Sequence, residues 1–557
     1  MKQVYFITNR WIKIIISKTK YYTLIIILIF INKLTIAENY FISPNGDDDN
    51  VGTIDMPFAS IQKGHDMALP GDTIYIRGGK YFPTAQTVFS KEGKSDSYFV
   101  LMSYPGEVPI IDGKNIPEGN IERTSTPTWQ FDGAKYWRII GPITLTNGRG
   151  AGIWIDGKQF LEFVQIESCY NGKRTSRAGH GFMVWKGSDI EFINCDAHHN
   201  ANHLWKSGED QLANQYQHGD GWRIFSGTNI RLVGCRSWHN LDDDYDFYSA
   251  DMPIELVDCW AAYAGRDDSL GSITGIPSKD MPRIDGSNLL WGNGIKLGYN
   301  KDAVKHRVVR CVSWGNNAAG FHMNLGPSSL LNSVSYKNKV FGFDFTDGNK
   351  HTIFNSWEFN NNYDNPNYPE EHPDNSLSSH NSWDGSINIF ISDEDFVNLD
   401  NTGMFGSRLE DGKLPITSFL RLAAGSDLID NGTDVGLAFV GNAPDIGAFE
   451  YGDTAVVFTN YDVSIPLKFD LSNYPNPFNP STNIWYNLPK AGYIDLTIFD
   501  IMGREVIRLE QGYRSAGSHQ LSWNARNKHG RKISGGVYIM ILNSKNYQIT
   551  RKMLFIK

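Results

Sequence analysis

Cysteine is scarce in this chain, and its pattern excludes two common classes of small-domain stabilisation. The 557 residues include 5 cysteines, and an odd number in an exported protein argues against a disulfide framework. No C-x-x-C spacing occurs, so a cysteine-based metal site is not indicated either. The cysteines therefore indicate neither a disulfide framework nor a redox site.

Positive charge is also in short supply. The formal net charge is -9, which argues against nucleic acid as a partner. A polyanionic substrate would then need positive charge concentrated at one place on the protein.

Long apolar runs are missing as well. The run from Leu24 to Ile31 has eight residues, whereas a membrane span needs about 20. Basic residues precede it and small residues follow it, which is the order of zones in a secretory signal. We expect a signal peptide over residues 1–37, cut after Ala37; the alternative is an uncleaved anchor.

What the chain does contain is a repeat. Short segments with a small residue three places before a final Asn recur along the chain, and their last residues are Asn171, Asn200, Asn240, Asn316, Asn338 and Asn360, with Ala264 in the same frame. The last three Asn are 22 residues apart, the length of one three-strand coil of a β-solenoid. We expect the Asn side chains to form an internal hydrogen-bonded ladder.

Four cysteines hold equivalent places in this repeat. Cys195, Cys235, Cys259 and Cys311 each lie five residues before the final position of the segment. Equivalent places on successive coils stack, so we expect these thiols to be buried and reduced, behaving as small apolar side chains.

A second pattern follows each repeat segment, and it predicts a short strand with one face in the core. A glycine is followed by a large apolar residue and then by a residue that should point outward. The outward positions, in order, are Met183, Arg223, Asp246, Lys296, His322 and Asp344.

Carboxylates cluster beside this outward column. Asp220 and Asp243 each precede the glycine position on consecutive coils, so we expect them on neighbouring strands roughly 5 Å apart. Asp242 and Asp246 flank Asp243. Four carboxylates this close repel one another unless a cation lies between them, and oxygen ligands in irregular geometry favour calcium. The alternative is a calcium ion that only stabilises a turn.

These motifs resemble polysaccharide lyase family 9, the pectate lyase group, over residues 38–452. The resemblance rests on the opening from Tyr40 to Tyr81 and on the HGDGW, NLDDDYD and GNGIKLG motifs. It implies a right-handed parallel β-helix in which Asp220, Asp242, Asp243 and Asp246 bind a catalytic calcium and Lys296 abstracts a proton. Asp244 stands where the family often has glycine, as a spectator or a further ligand.

The chemistry expected of such a site is β-elimination on a uronic acid polymer. A neutral base removes the C5 proton, and lysine has a reference pKa of about 10.4, so we expect an alkaline optimum for Lys296. Arg223 would bind a substrate carboxylate or pair with Asp220 or Asp246. His322 and Asp344 would contact neighbouring sugars or form an ordinary polar surface.

The last part of the chain has a different composition. After a linker over residues 453–470, alternating strands separated by Pro, Asn and Gly turns predict a small β-sandwich over residues 471–557. Its YPNPFNPST, GGVY and TRKM motifs resemble the C-terminal sorting domain of the type IX secretion system. This implies secretion or display at the cell surface; a carbohydrate-binding sandwich is the alternative.

Accessory segments are expected at one end of the solenoid and beside its outward column. Residues from Ser60 to Asp72 should form a short helix that covers one end of the solenoid. Insertions at 172–180, 201–219 and 265–293 should wall a substrate groove.

We expect a monomer. Other functions left open are a rhamnogalacturonan or other uronate lyase, a glycoside hydrolase, and a non-catalytic calcium-stabilised adhesin.

Overall fold

The computed structural model describes the chain from residue 37 to residue 556, with internal gaps. The gaps are residues 96, 118–125, 158, 173–178, 202–218, 249, 251–252, 266–291, 299–305, 325, 346–350, 362–376, 453–469, 475, 489–491, 515–516 and 545–546. Nearly all of the predicted signal peptide, the predicted linker and the three predicted insertions lies outside the described residues. Among the helices that are described, none is long and apolar enough to cross a membrane.

The first part of the described chain is a parallel β-helix. Its strands, numbered in chain order, are β1 (Asn39–Ile42), β2 (Thr73–Ile76), β3 (Gly79–Tyr81), β4 (Thr87–Phe89), β5 (Phe99–Ser103), β6 (Pro109–Asp112), β7 (Trp129–Asp132), β8 (Trp137–Thr146), β9 (Ile153–Asp156), β10 (Leu161–Cys169), β11 (Phe182–Ile193), β12 (Asp196–His198), β13 (Trp222–Val233), β14 (Arg236–Trp238), β15 (Tyr245–Asp246), β16 (Ile254–Val257), β17 (Trp260–Ala262), β18 (Ile295–Lys296), β19 (His306–Val309), β20 (Val312–Trp314), β21 (Phe321–His322), β22 (Ser328–Leu331), β23 (Val334–Tyr336), β24 (Phe343–Asp344), β25 (Thr352–Phe354), β26 (Trp357–Phe359) and β27 (Leu377–Ser379). This confirms the predicted solenoid.

The pairing divides these strands into three parallel faces. The first face runs from β1 and β2 through β16, β19 and β22 to β27. The second contains β12, β14, β17, β20, β23 and β26. The third, which we call the site face, contains β9, β11, β13, β15, β18, β21 and β24. The long strands β11 and β13 contribute to both the first face and the site face.

Large apolar side chains fill the interior along the site face. Phe182, Trp222 and Tyr245 are fully buried and stack with ring centroids 4.8 and 5.0 Å apart. Phe321 and Phe343 continue the same inner column at 4.7 Å. Burial of each such side chain contributes about 1.5–3 kcal/mol, so the interior side of each short strand fixes which residues point outward.

The Asn ladder is present, with one change from the predicted frame. The Nδ2 group of Asn316 donates to Oδ1 of Asn338 at 2.8 Å, and Asn338 donates in turn to Asn361 at 3.1 Å. The prediction of Asn360 as the last member is therefore wrong. Asn360 has φ +56° and occupies the turn position before the ladder, as Lys337 does in the preceding coil. The step from Asn338 to Asn361 is 23 residues, one more than the constant spacing suggested.

The cysteines are buried free thiols, as predicted from the repeat. Cys195, Cys235, Cys259 and Cys311 are 0% exposed, and each Sγ lies 3.3–3.6 Å from the carbonyl oxygen two residues earlier. Cys169 is buried as well. The thiols therefore serve packing.

A single α-helix is described, and it is shorter than predicted. Helix α1 (Ile61–Met67) begins after Ser60, whose Oγ accepts a hydrogen bond from the Lys63 backbone N–H at 3.1 Å. It ends at Ala68 because Leu69 precedes a proline and favours an extended backbone. Gly64 lies against Ile42 and Ile74, so the helix covers the first coil.

The segment after the last coil packs along the outside of the second face. Phe396, Phe419 and Ile446 form one apolar cluster with Trp314 and Trp357 of that face. Two short 3-10 helices, Gly113–Asn115 and Asp393–Asp395, complete this part of the chain as described. The second face is thus covered by the chain itself.

The C-terminal part forms two antiparallel sheets, as predicted. Their strands are β28 (Asp470–Tyr474), β29 (Thr482–Leu488), β30 (Gly492–Asp500), β31 (Glu505–Arg514), β32 (Gly517–Trp523), β33 (Gly536–Ser544) and β34 (Tyr547–Phe555). Strands β28, β29 and β32 form one sheet and β31, β30, β33 and β34 the other. Ile484 and Trp523 from the first sheet share a core with Leu496 and Met540 from the second.

Candidate active site

The predicted outward column lies on the site face in the predicted order. Neighbouring strands pair in register, so that each member faces the next: Met183, Arg223, Asp246, Lys296, His322 and Asp344. The solenoid therefore brings Asp246 and Lys296, 50 residues apart in sequence, to adjacent strands.

Three of the four predicted calcium ligands meet in one group. Carboxylate oxygens of Asp220, Asp243 and Asp246 all lie within 4.8 Å of one another, and the three residues are at most 2% exposed. Asp242 is half-buried and lies outside this group. The charge of Asp242 nevertheless acts on both Arg223 and Lys296. Asp242 therefore lies near the group but is not one of its three members.

Backbone N–H groups orient the carboxylates of Asp220 and Asp246. The Asp243 N–H donates to Oδ1 of Asp220 at 3.1 Å, and the Gly221 N–H donates to the Asp243 carbonyl at 3.1 Å. The Tyr248 N–H donates to Oδ1 of Asp246 at 2.8 Å. The Asp220 carboxylate is thus held by the backbone of the next coil and that of Asp246 by its own, while the bond from Gly221 holds the backbone of Asp243.

Two cationic side chains contact this group. Nη1 of Arg223 lies 3.0 Å from Oδ2 of Asp220 and 2.6 Å from Oδ2 of Asp246. Nζ of Lys296 lies 2.9 Å from Oδ2 of Asp243. Of the two interpretations of Arg223, the structure shows the ion pairs; binding of a substrate carboxylate stays a prediction.

The carboxylates control the charge state of Lys296. Burial lowers the pKa of the amine, but the charges of Asp243, Asp246 and Asp242 outweigh burial and raise the pKa above its ordinary value. Burial raises the pKa of Asp243, and the neighbouring Asp246 and Asp220 add to that rise against the opposing charge of Lys296. The group thus sets three carboxylates, with Asp242 beside them, against the two cations Arg223 and Lys296.

Sequence reasoning missed two residues that contact the carboxylates. Nδ1 of His180 lies 3.1 Å from Oδ2 of Asp220. The N–H and Nδ2 groups of Asn293 each donate to Oδ1 of Asp243 at 2.8 Å. Both residues lie one place before the glycine position in their coils, which is the place that Asp220 and Asp243 hold. That shared position was the available signal.

The extra carboxylate, Asp244, points away from this group. It is 0% exposed, and its Oδ1 accepts hydrogen bonds from Nδ2 of Asn240 at 2.7 Å and Oγ of Ser237 at 3.2 Å. Burial raises the pKa of Asp244 well above its usual range. Its contacts are with the Asn ladder.

The remaining predicted residues form a pair at the far end of the column. Nδ1 of His322 lies 2.9 Å from Oδ2 of Asp344, and the side chains are 22% and 11% exposed. They follow Lys296 at one and two strands' distance. Their roles stay predictions.

An aromatic strip runs beside the outward column. It consists of Trp185, Phe225 and Tyr248, each two residues after a member of the column. The Trp185 and Phe225 rings stack 4.5 Å apart, and Nζ of Lys296 lies 5.4 Å from the Tyr248 ring centroid. Tyr248 is 36% exposed. The strip offers flat apolar surface next to the charged group.

The donor set of the group fits calcium. Asp220, Asp243 and Asp246 offer only oxygen ligands, which hard cations prefer. Burial and mutual repulsion of the three carboxylates favour a bound cation, because only the two cations Arg223 and Lys296 are described in contact with them as permanent positive partners.

The fold and this site define the class of the protein: it is an enzyme of the polysaccharide lyase class, built on a β-helix. Residues 40–365 match the model of the family described as "Pel9A-like, right handed beta helix region". The match covers more than half of the chain, and the chain belongs to this family. The parallel β-helix is accordingly right-handed.

Curated relatives and solved structures agree with this assignment. The chain is 28% identical over 429 residues to "Pectate lyase PEL9" of Emericella nidulans, covering 71% of this chain and 94% of the relative. It is 28% identical to "Pectate lyase L" of Dickeya dadantii, covering 74% and 90%. The crystal structure of pectate lyase Pel9A superposes with a TM-score of 0.59 at 26% identity, over 75% of this chain and 97% of that one.

A rhamnogalacturonan lyase structure shares the fold. Its TM-score is 0.54 at 19% identity, with 70% of this chain and 97% of that chain covered. At this identity the likeness concerns the fold alone.

The C-terminal sandwich has its own family. Residues 472–557 match the "Secretion system C-terminal sorting domain". The chain is therefore exported by the type IX route, to the cell surface or the medium, as its motifs predicted.

Proposed function

We propose that this protein is a calcium-dependent pectate lyase that cleaves polygalacturonate by β-elimination, with Lys296 as the base. The proposal draws its substrate from the names of the relatives, which are pectate lyases. The observation that carries it is the contact of Nζ of Lys296 with Asp243, 2.9 Å away, inside the buried group of Asp220, Asp243 and Asp246.

The carboxylate group is the proposed calcium site. Asp220, Asp243 and Asp246 would hold the ion, and Asp242 is the proposed fourth ligand from the edge of the group. When bound, calcium supplies positive charge next to the substrate carboxylate and so makes the neighbouring C5 proton more acidic.

Lys296 is proposed to remove that proton. Its side chain is 22% exposed, so a substrate on the site face can reach the amine. In the reaction the C5 proton moves to Nζ, a double bond forms between C4 and C5, and the bond from C4 to the glycosidic oxygen breaks. The leaving oxygen takes a proton from solvent. No water is consumed, and the product carries an unsaturated end.

The rest of the outward column is proposed to position the polymer. Arg223 holds Asp220 and Asp246 in place and presents positive charge to a uronate. His322 and Asp344 lie where sugars beyond the cleaved bond would run along the coils. Tyr248, beside Lys296, is proposed to stack against a sugar ring.

The proposal is tested with a panel of uronate polymers. Polygalacturonate and rhamnogalacturonan are incubated with the full chain, with and without a calcium chelator, while the ultraviolet absorbance of unsaturated ends is followed. Calcium-dependent absorbance on polygalacturonate supports the proposal. Preference for rhamnogalacturonan would change the substrate, and chelator-resistant release of saturated ends would indicate a glycoside hydrolase instead. Absence of turnover on every polymer would favour an adhesin.

A further inference from the structure

One coil of the β-helix departs from the ladder pattern at two facing places. The ladder position that follows Asn240 is Ala264, and the small residue before it, in register with Ser237 and Ser313, is Ala261. The glycine position that faces these alanines is Asp244. The aspartate at the glycine position and the alanine at the ladder position therefore occur together, whereas alanine at the small-residue position also occurs in a regular coil, where Ala197 lies beside Gly181 and Asn200.

The regular coils show why these positions are linked. A Cβ atom added to the glycine would lie only 2.4–2.9 Å from Nδ2 of the ladder Asn in the following coil, and this holds for Gly152, Gly181, Gly221, Gly294, Gly320 and Gly342. Cβ atoms do not approach other atoms so closely. A ladder Asn thus requires glycine in the coil before it.

Asp244 is tolerated because Ala261 and Ala264 leave that space open. Its carboxylate fills the space and also takes over a hydrogen bond. In regular coils the ladder Nδ2 donates to Oδ1 of the next Asn, as Asn200 does to Asn240 at 3.0 Å. Asn240 has no Asn after it and donates instead to Oδ1 of Asp244 at 2.7 Å.

This substitution has a consequence for the candidate calcium site. The bond from Asn240 to Asp244 closes a five-residue loop, and Asp242 and Asp243 lie inside that loop. The Asp244 backbone continues the same restraint, since its N–H donates to the Asn293 carbonyl at 3.0 Å and its carbonyl accepts from Trp222 at 2.9 Å.

We propose that Asp244 is a positioning residue for the calcium ligands, acting as a stand-in for the ladder Asn that is missing at Ala264. The inference rests on the proposed function, because it concerns the same calcium site. Asp244 does not bind the ion; its carboxylate holds the loop that presents Asp242 and Asp243. Asp244 and Ala264 form one compensated pair, and Ala261 leaves room for the carboxylate.

The test measures calcium binding to the full chain by calorimetry, without substrate, and thermal unfolding of the same samples. Asp244→Gly should weaken calcium binding about ten-fold, the scale of losing a residue that orients metal ligands. The triple variant Asp244→Gly, Ala261→Ser, Ala264→Asn rebuilds a regular coil and should restore both calcium affinity and the melting temperature. Ala264→Asn alone should lower the melting temperature, since Asn meets the Asp244 side chain.

Two comparisons separate positioning from coordination and from stability alone. Asp244→Asn keeps an oxygen acceptor for Asn240 and should retain most of the calcium affinity, whereas a ligand would lose it. Asn338→Ala breaks the ladder in a coil beyond the site, and should lower the melting temperature with calcium affinity unchanged.

The outcomes separate this inference from the proposed function. A wild-type chain that binds no calcium overturns both. Wild-type binding that survives in Asp244→Gly, or that is lost in Asp244→Asn as fully as in Asp243→Asn, overturns the positioning role alone. Failure of the triple variant to restore affinity would also contradict it.

Discussion

Two buried groups of charged side chains in this β-helix have opposite ratios of carboxylates to cations. On the second face, the single carboxylate of Asp196 pairs with two arginines: Nη2 of Arg236 lies 2.7 Å from it and Nη2 of Arg408 lies 2.6 Å from it. On the site face, the three carboxylates of Asp220, Asp243 and Asp246 contact Arg223 and Lys296. The first cluster has an excess of positive partners and the second an excess of negative charge.

The balance decides what each cluster can do. Burial would raise the pKa of Asp196, but Arg408 and Arg236 outweigh burial and hold the pKa well below its usual range. Arg236 also donates to the Met404 and Gly406 carbonyls and joins the covering segment to the coils. The Asp196 cluster is complete and structural. The site cluster gains from an added cation, which is the property expected of a metal site.

Loss of the proposed base should have the largest effect. Lys296→Ala should reduce turnover of polygalacturonate by about 100- to 10,000-fold, the usual contribution of a general base. Initial rates of ultraviolet absorbance measure it. Lys337→Ala, at an exposed lysine of the second face, is the control and should keep wild-type rates. Wild-type turnover in Lys296→Ala would remove this lysine from the mechanism.

The same change of aspartate to asparagine should affect calcium affinity in one cluster and stability in the other. Asp243→Asn should weaken calcium binding at least about 100-fold, because losing a ligand exceeds the cost of losing an outer contact. Asp196→Asn should leave calcium affinity unchanged and lower the free energy of unfolding by about 3–5 kcal/mol, since two buried arginines lose their counter-charge. Calorimetry and urea unfolding measure the pair. Equal effects on calcium affinity would show that the charge balance does not distinguish the clusters.

The charge excess of the site should also appear in the pH dependence. The neutral form of Lys296 becomes more abundant as pH rises. Because the carboxylates raise the pKa of this amine, the increase continues into the alkaline range. Below that pKa, kcat/KM should therefore increase by about ten-fold per pH unit toward an alkaline optimum. Added calcium offsets the carboxylate charge and should shift the rising limb to lower pH. A rate that is flat from neutral to alkaline pH would contradict the role of Lys296.

The smallest effect should come from the aromatic strip. Tyr248→Ala removes one proposed stacking contact and should raise KM about five-fold with little change in kcat, consistent with roughly 1 kcal/mol for such a contact. Phe390→Ala, at an exposed aromatic in the segment that follows the last coil, is the matched control. An unchanged KM in Tyr248→Ala would place the polymer away from the strip.

Much of the fold followed from sequence because the coil repeats. The glycine, apolar and polar alternation at Gly221, Trp222 and Arg223 recurs with local spacing, and a period of two assigns each side chain to a face without knowledge of the rest. The same reasoning put Asp246 beside Lys296. The predicted ladder was wrong by one residue at Asn361, because the coil that ends there is one residue longer. No local sequence pattern indicates such an insertion.

The details of the site were less accessible. Whether Arg223 pairs with carboxylates depends on side-chain conformation, which the sequence pattern does not encode. The Asp244 carboxylate bonds to Asn240 and Ser237, and our explanation of that direction needs the facing alanines Ala261 and Ala264, which the fold alone reveals. His180 and Asn293 shared the position of Asp220, yet their different chemistry hid the relation.

One measurement tests the proposed base and the proposed calcium ion together. Initial formation of unsaturated ends from polygalacturonate is recorded for the wild-type chain and for Lys296→Ala, each with calcium and with a chelator. We expect strong absorbance for the wild type with calcium, and at least about 100-fold less in the other three samples. Full activity in the chelated wild type, or in Lys296→Ala with calcium, would contradict this expectation.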